Sequence, residues 1–167
     1  MGKVSGNRLT AMCGVFIALA LVLSYLESLI PVFAAVPGVK LGVANIVTMV
    51  ALYKLGTKPA IIVSVGRIVL AAILFGNIST MIYSFAGAAF SILMMIILKK
   101  TKIFSVVGVS VAGAIAHNIG QLAVAAIMLE NLNIMYYFPV LLITGVVSGI
   151  AVGLIAVYII KNIRIKQ

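Results

Sequence analysis

Six long apolar runs account for most of the 167 residues, and this pattern constrains the fold more than any other feature of the chain. Only 8% of the residues are charged, whereas a typical soluble domain carries about a quarter. A helix crosses the hydrocarbon core of a bilayer in about 20 residues, and apolar runs of this length satisfy their backbone hydrogen bonds in lipid as helices. We therefore expect an all-α integral membrane protein, a bundle of six transmembrane helices forming one transmembrane domain over residues 1–167. The predicted helices span residues 9–30, 41–54, 59–76, 79–98, 104–129 and 136–160.

The basic residues predict how these helices are oriented. Ten of the 12 lysines and arginines lie at the N-terminus, in the connections 2–3 and 4–5, or at the C-terminus. Cytoplasmic loops of membrane proteins carry such an excess of positive charge, so both termini are expected in the cytoplasm. The first apolar run lacks a convincing small-residue cleavage site and is interpreted as the first helix, not as a signal peptide. Lys3 and Lys166 are then cytoplasmic, and Asn77 and Asn133 face outward.

Several function classes are excluded by the residues that the chain lacks. The net charge of +10 is divided among short groups between apolar runs, which does not make a nucleic-acid surface. Cys13 is the single cysteine, so no internal disulfide can form, and one cysteine with one histidine cannot build a zinc site. The chain has no aspartate and no GxxxxGK[ST] phosphate loop. We expect neither an enzyme nor a bound metal or cofactor.

Arg67 stands out because it lies near the middle of the third apolar run. At the rise of an α-helix it is about 12 Å from the start of that run. An arginine at membrane depth requires a carboxylate, a group of carbonyls, water or an anionic ligand. Glu27, toward the outer end of the first helix, can supply the carboxylate. The sequence leaves open whether Arg67 pairs with Glu27 or contacts a ligand.

Further polar residues converge on the outer half of the predicted bundle. His117 and Gln121 lie on one face of the fifth helix, with Asn118 beside Gln121. Asn45 on the second helix and Lys40 at its start also lie on the outer side. These residues, with Arg67 and Glu27, predict an outward-facing binding cavity, although a lone membrane histidine can also serve only as a hydrogen bonder between helices. A purely structural scaffold is a weaker interpretation because it leaves these polar residues unexplained.

Small residues recur at every fourth position on three of the predicted helices. Such stripes allow close approach of helix backbones where lipid provides no hydrophobic drive. We interpret the stripes on helices 5 and 6 as packing inside the bundle. They consist of Ala112, Ala116 and Gly120 on helix 5 and of Gly145, Gly149 and Gly153 on helix 6.

Five stretches, in order along nearly the whole chain, resemble the Gx transporter family, also labelled heptaprenyl diphosphate synthase component I. That family is similar to the S components of energy-coupling factor transporters, six-helix proteins that bind a small molecule at the outer side. The synthase label conflicts with the sequence, because an enzyme that joins prenyl diphosphates needs acidic pairs to hold magnesium. The stretches are PGVKLGVANIVTMVALYKLG (Pro37–Gly56), VGRIVLAAILFG (Val65–Gly76), SFAGAAFSILMM (Ser84–Met95), AIAHNIGQLAVA (Ala114–Ala125) and YYFPVLLITGVVSG (Tyr136–Gly149).

The resemblance implies a substrate-binding and translocating subunit in a prokaryotic cell membrane. Its partners would be a transmembrane scaffold and two soluble ATPases, and its substrate a small molecule, anionic or related to a vitamin or a quinone. S components often dock the scaffold through AxxxA on helix 1, where this chain has Ala11, Gly14 and Ala18. Some relatives resemble the membrane component of flavin-based extracellular electron transfer, so the alternative is a flavin- or quinone-linked assembly that does not transport.

Overall fold

The computed structural model describes residues 6–29 and 42–163. Regular structure in these residues is helical throughout, as predicted, and each end of the six α-helices falls within three residues of its prediction. Tyr136 and Tyr137, predicted to begin the last helix, instead finish a short 3-10 helix that precedes it. The elements are α1 (Gly6–Ser28), α2 (Val43–Lys54), α3 (Thr57–Leu74), α4 (Ile78–Thr101), α5 (Val106–Met128), the 3-10 helix (Leu132–Tyr137) and α6 (Phe138–Asn162).

Five of these helices, all except α2, are long and apolar enough to cross a bilayer. The chain is therefore a multi-pass membrane protein. Helix α2 has 12 residues and extends about 18 Å at the α-helical rise, well short of a hydrocarbon core of about 30 Å. The prediction of six helices is confirmed, but by length only five of them are spans. Residue 41, where the second predicted helix begins, lies outside the described residues.

Short turns connect α2 through α5 because the sequence supplies the residues that end and restart a helix. Gly56 separates α2 from α3 with φ +105°, a conformation that only glycine adopts without strain. Asn77 begins α4 with a capping box, in which its side chain accepts from the Thr80 N–H at 2.8 Å and the Thr80 hydroxyl accepts from the Asn77 N–H at 3.0 Å. Ser105 caps α5 by accepting from the Gly108 N–H at 3.1 Å.

Helix α2 lies at the centre of the bundle although it is the shortest helix. It contacts α1, α3 and α6, and each residue from 46 to 52 is buried. The helices α3, α4, α5 and α6 contact one another in chain order, and α1 packs on α2 and α3. A helix that is apolar on most sides is expected inside a bundle, and α2 is accordingly enclosed by α1, α3 and α6.

The glycine stripe of α6 packs against α5, as the sequence predicted. A Cβ added at Gly149 would come within 2.6 Å of the Val111 Cα, and one at Gly153 within 2.8 Å of the Val107 Cα. Gly145 continues the stripe and faces Asn118. Because the obstacles at Gly149 and Gly153 are backbone atoms, no rotamer change can relieve them. The two helices approach this closely only without side chains on this face.

The two ends of the bundle differ in charge. At the mouth end, as we name it, α1, α3 and α5 finish and α2, α4 and α6 begin. The ends of α1 and α3 meet there, with the rings of Tyr25 and Phe75 5.5 Å apart. The described connections at the mouth end, 75–77 and 129–137, contain no lysine or arginine. The opposite end, named the lysine end, carries Lys54, Lys58, Lys99, Lys100, Lys102 and Lys161.

Candidate functional site

A polar cavity of about 50 Å³ lies inside the bundle and is lined by residues from all six α-helices. The structure brings six of the seven predicted substrate-binding residues to its wall, and the seventh, Lys40, lies outside the described residues. They come from α1, α2, α3 and α5, which are far apart in sequence. The six are Glu27, Asn45, Arg67, His117, Asn118 and Gln121.

Arg67 has more hydrogen-bond donors than partners. Its Nη2 donates to the Oδ1 of Asn45 at 3.3 Å, which joins α3 to α2. Its Nε is buried and has no hydrogen-bond partner among the described residues. A guanidinium carries five N–H donors, and a buried donor without a partner costs about 1–3 kcal/mol. Arg67 can therefore bind an oxygen atom that enters the cavity.

Glu27 is close to Arg67 but bonded elsewhere. Its Oε1 accepts a hydrogen bond from the backbone N–H of Gly42 at 2.6 Å, so the carboxylate lies at the N-terminal end of α2. Free N–H groups and the helix dipole favour negative charge at that position. The carboxylate attracts the Arg67 guanidinium through space, but no direct ion pair joins these two side chains in the described part of the chain. The anticipated pairing is thus at most an indirect one.

Asn118 connects helices. Its Nδ2 donates to the backbone carbonyl of Leu141 at 2.7 Å, which ties α5 to the start of α6. Gly145 lies on the next turn of α6, where a Cβ would be only 2.9 Å from that nitrogen. The close approach of the two helices at Gly145 therefore makes the hydrogen bond possible. Asn118 lines the cavity, but part of its hydrogen-bonding capacity is used for packing.

Gly87 on α4 makes room for the other two polar side chains of α5. A Cβ at Gly87 would be 2.8 Å from the Nε2 of His117 and 2.9 Å from the Cγ of Gln121. Gln121 is only 7% exposed, and no hydrogen bond is formed by its amide among the residues that the structure describes. A buried amide normally has a partner. Gln121 is thus, like Arg67, a residue in the cavity wall with unused hydrogen-bonding capacity.

The sequence analysis missed a set of serines in the same wall. Ser84 and Ser91 are seven residues apart on α4, and Ser110 precedes His117 by seven residues on α5. A separation of seven residues returns to nearly the same helix face. This spacing, in runs that are otherwise apolar, is the signal that could have identified them. Ser148 adds a hydroxyl from α6.

Two further cavities adjoin the polar one. A cavity of about 260 Å³ between α1, α3 and α4 shares Glu27, Arg67 and Ser84 with it. A larger cavity of about 580 Å³ lies at the mouth end between α4, α5, the 3-10 helix and α6, and shares Gln121 with it. The polar cavity therefore adjoins two spaces of different size and chemistry.

The small residues of α1 lie on the surface of the bundle. Ala11, Gly14 and Ala18 are all exposed, and a Cβ added at Gly14 would meet nothing within 4 Å among the described residues. The opposite side of α1 carries Cys13 and Ala20, which are buried against the core. This stripe differs from the stripe of α6, which is covered by α5.

Comparison with known proteins identifies the family. The model of the family described as Heptaprenyl diphosphate synthase component I matches residues 16–159. The chain belongs to this family. The match runs from α1 to the end region of α6 and includes each of the six predicted site residues that line the cavity. No curated protein and no solved structure matches the chain. Among the described residues, no group of three or more histidine, cysteine, aspartate or glutamate side chains is placed to hold a metal ion.

Proposed function

We propose that this chain is the membrane-embedded binding subunit of a transport system, of the S-component type, and that it binds a small molecule in the polar cavity. One observation carries the proposal. Polar residues from every α-helix surround a cavity in which Arg67 retains a buried Nε without a partner and Gln121 forms no hydrogen bond among the described residues. Polar groups at membrane depth are costly, and those that face the bundle interior mark substrate or ion pathways.

The orientation of the bundle supports binding from outside the cell. The described connections at the mouth end lack lysine and arginine, whereas the lysine end carries six lysines. The positive-inside rule assigns the lysine end to the cytoplasm. Arg67 and Gln121 lie on the mouth-end halves of α3 and α5, seven residues from the last residue of each. A molecule that reaches them from the mouth end enters from the outside of a prokaryotic cell membrane.

We assign no catalytic role to the chain, despite the word synthase in the family description. Its acidic residues are Glu27 and Glu130, which cannot form the paired carboxylates that hold magnesium against a diphosphate. The energy for uphill transport would come from ATPase partners acting through a membrane scaffold. The exposed stripe of Ala11, Gly14 and Ala18 is the surface that we propose for the scaffold, because small residues permit close helix contact.

Native mass spectrometry of the purified protein in lipid nanodiscs tests the proposal. We expect a small molecule bound to the wild-type protein, lost in Arg67→Ala and retained in a Gly14→Leu control whose substitution is remote from the cavity. We also expect ATPases and a scaffold protein to copurify from the native membrane with the wild-type protein. Copurification of a flavinylated or quinone-processing protein instead would favour the electron-transfer alternative. A bound molecule retained equally by both variants would refute the assigned site.

A further inference from the structure

The polar cavity is too small to hold a whole substrate. A cavity needs about 10–15 Å³ to hold one water molecule, so about 50 Å³ accommodates only a few heavy atoms. Typical ligand pockets occupy about 300–1,000 Å³. A molecule whose polar group fills this cavity must place the rest of its structure in an adjoining space.

The cavity of about 580 Å³ at the mouth end has the size and lining for that remainder. Its wall is largely apolar and includes Leu122 and Leu141, which are each 5% exposed, and Ala125. The rings of Tyr83 and Tyr137 also border it. Aromatic and aliphatic walls with few polar groups are characteristic of sites for apolar ring systems.

Gln121 belongs to the walls of both cavities. Its side chain is more than nine-tenths buried and forms no hydrogen bond with any residue in the described ranges. Its amide therefore has donors and an acceptor available for a ligand. A ligand that passes from one cavity to the other would run along this amide and could accept a hydrogen bond from it.

We infer that the site is bipartite and takes an amphipathic molecule, with an oxygen-bearing head in the polar cavity and a rigid apolar ring system in the mouth-end cavity. The head accepts hydrogen bonds from Arg67 and Gln121. This inference rests on the proposed function and specifies the substrate class of the same site. If the site is bipartite, the apolar body of the ligand must contribute to binding affinity in addition to the hydrogen bonds of its head.

The cavity of about 260 Å³ is a poorer place for the apolar body. It carries the Glu27 carboxylate and the hydroxyls of Ser24, Ser28 and Thr80. Placing an apolar body there would shield the Glu27 carboxylate from water, and burial of a charge is costly. The body is therefore assigned to the mouth-end cavity.

Equilibrium dialysis with 2-naphthoate against protein in nanodiscs tests the inference, since this probe joins a carboxylate head to a bicyclic body. Acetate supplies the head alone and naphthalene the body alone, with empty nanodiscs as the background. We expect saturable binding of 2-naphthoate only, weakened at least tenfold by Gln121→Leu and by Ala125→Phe, which fills the mouth-end cavity. Ala71→Phe, the matched substitution in the smaller cavity, is expected to leave it within twofold. Thermal unfolding confirms that each variant is folded.

A tryptophan reporter provides a second measurement that does not require filling a cavity. The chain contains no tryptophan, so Leu129→Trp on the cavity wall would report from one position. Its emission is expected to change with 2-naphthoate at saturating concentration, whereas the lipid-facing control Tyr158→Trp near the lysine end stays constant.

The outcomes separate the two proposals. Loss of binding in Gln121→Leu but not in Ala125→Phe would refute the bipartite site and leave the polar binding site standing. Naphthalene binding that is unchanged by Gln121→Leu would indicate a lipid-like occupant of the mouth-end cavity and would overturn the inference. Absence of saturable 2-naphthoate binding would also overturn it, whereas the proposed function is judged independently by the native mass spectrum.

Discussion

At the scale of single residues, Arg67 is the side chain whose role can be tested most directly. It donates one hydrogen bond to Asn45 and retains a buried Nε without a partner in the described part of the chain. Glu27 is bonded to the Gly42 N–H instead. In a structural ion pair, the guanidinium of Arg67 and the carboxylate of Glu27 would contact each other directly. The observed contacts favour a ligand role.

We predict that Arg67→Ala lowers thermal stability only modestly and abolishes ligand retention. The lost hydrogen bond to Asn45 corresponds to about 1.5–3 kcal/mol, whereas breaking a buried ion pair would cost about 3–5 kcal/mol. The double variant Arg67→Ala with Glu27→Gln is expected to remain unable to retain the ligand. Thermal unfolding and native mass spectrometry measure the two quantities. Recovery of both in the double variant would establish Arg67 as a structural partner of Glu27.

Gly87 gives a second prediction at this scale. Gly87→Ala places a methyl group 2.8 Å from the His117 Nε2 and 2.9 Å from the Gln121 Cγ, so both side chains must shift. We expect ligand affinity to fall about tenfold or more, because groups that contact a ligand tolerate little displacement. The matched control Gly108→Ala meets only ordinary contacts beyond 3.4 Å and is expected to leave binding unchanged. Equal affinity in both variants would separate Gly87 from the site.

The residues that line the cavity could be predicted to lie together because polar side chains are rare in these helices. Arg67 and the polar residues of α5 are conspicuous in an apolar context, and helical spacing placed them on common faces. Their contacts could not be predicted in the same way. The hydrogen bond from the Gly42 N–H to Glu27 depends on where α1 and α2 meet, and no sequence pattern encodes that meeting point. The lining serines were missed because serine is compatible with helix packing anywhere in a membrane.

At the scale of helices, the small-residue stripes of α6 and α1 have different surroundings. The stripe of α6 is in contact with the α5 backbone, and the stripe of α1 is exposed. The sequences are of the same kind, so periodicity alone cannot tell which stripe is covered inside the molecule. Burial decides between them.

We predict that Gly149→Leu severely reduces folding and yield, whereas Gly14→Leu does not. At Gly149 the obstacle is the Val111 Cα at 2.6 Å, so α6 must move away from α5. Overpacking of a core costs about 1–3 kcal/mol when side chains can adjust, and here the backbone must adjust. Thermal stability and yield in nanodiscs measure the effect. Under the proposed function, Gly14→Leu retains stability and loses copurification of the scaffold. Normal stability of Gly149→Leu would contradict the close α5–α6 contact.

The position of helix α2 in the bundle could not be predicted from hydropathy, although its length could. The sequence predicted this helix to within two residues, but its central position followed from contacts with α1, α3 and α6. Its short length leaves Asn45 well inside the ends of the longer helices, where Arg67 can reach it. The short helix therefore positions Asn45 in the wall of the cavity.

At the scale of the whole molecule, apolar runs and loop charges give complementary information. The runs predicted the six helices, because hydrogen bonding in lipid admits few alternatives. The order in which the helices pack could not be obtained in this way, because neighbours in a bundle are selected by the shapes of their faces. The central position of α2 is the clearest example. The placement of the lysines at one end is visible in both the sequence and the structure.

The orientation of the molecule in the membrane can be tested by chemical labelling. We expect the lysine end to face the cytoplasm, because lysines in short loops are retained there during insertion. In a Cys13→Ala background, Asn77→Cys and Asn133→Cys should react with a membrane-impermeant maleimide added to intact cells. Lys3→Cys, Lys102→Cys and Lys166→Cys should react only after the cells are opened. Asn77 and Asn133 are both exposed at the mouth end, and Lys102 is exposed at the lysine end, so burial does not explain a difference between them. Labelling of Lys166→Cys or Lys102→Cys from outside would show that the lysine end faces outward, opposite to the predicted orientation. The polar cavity would then open toward the cytoplasm, and uptake of a molecule from the outside would no longer be its function.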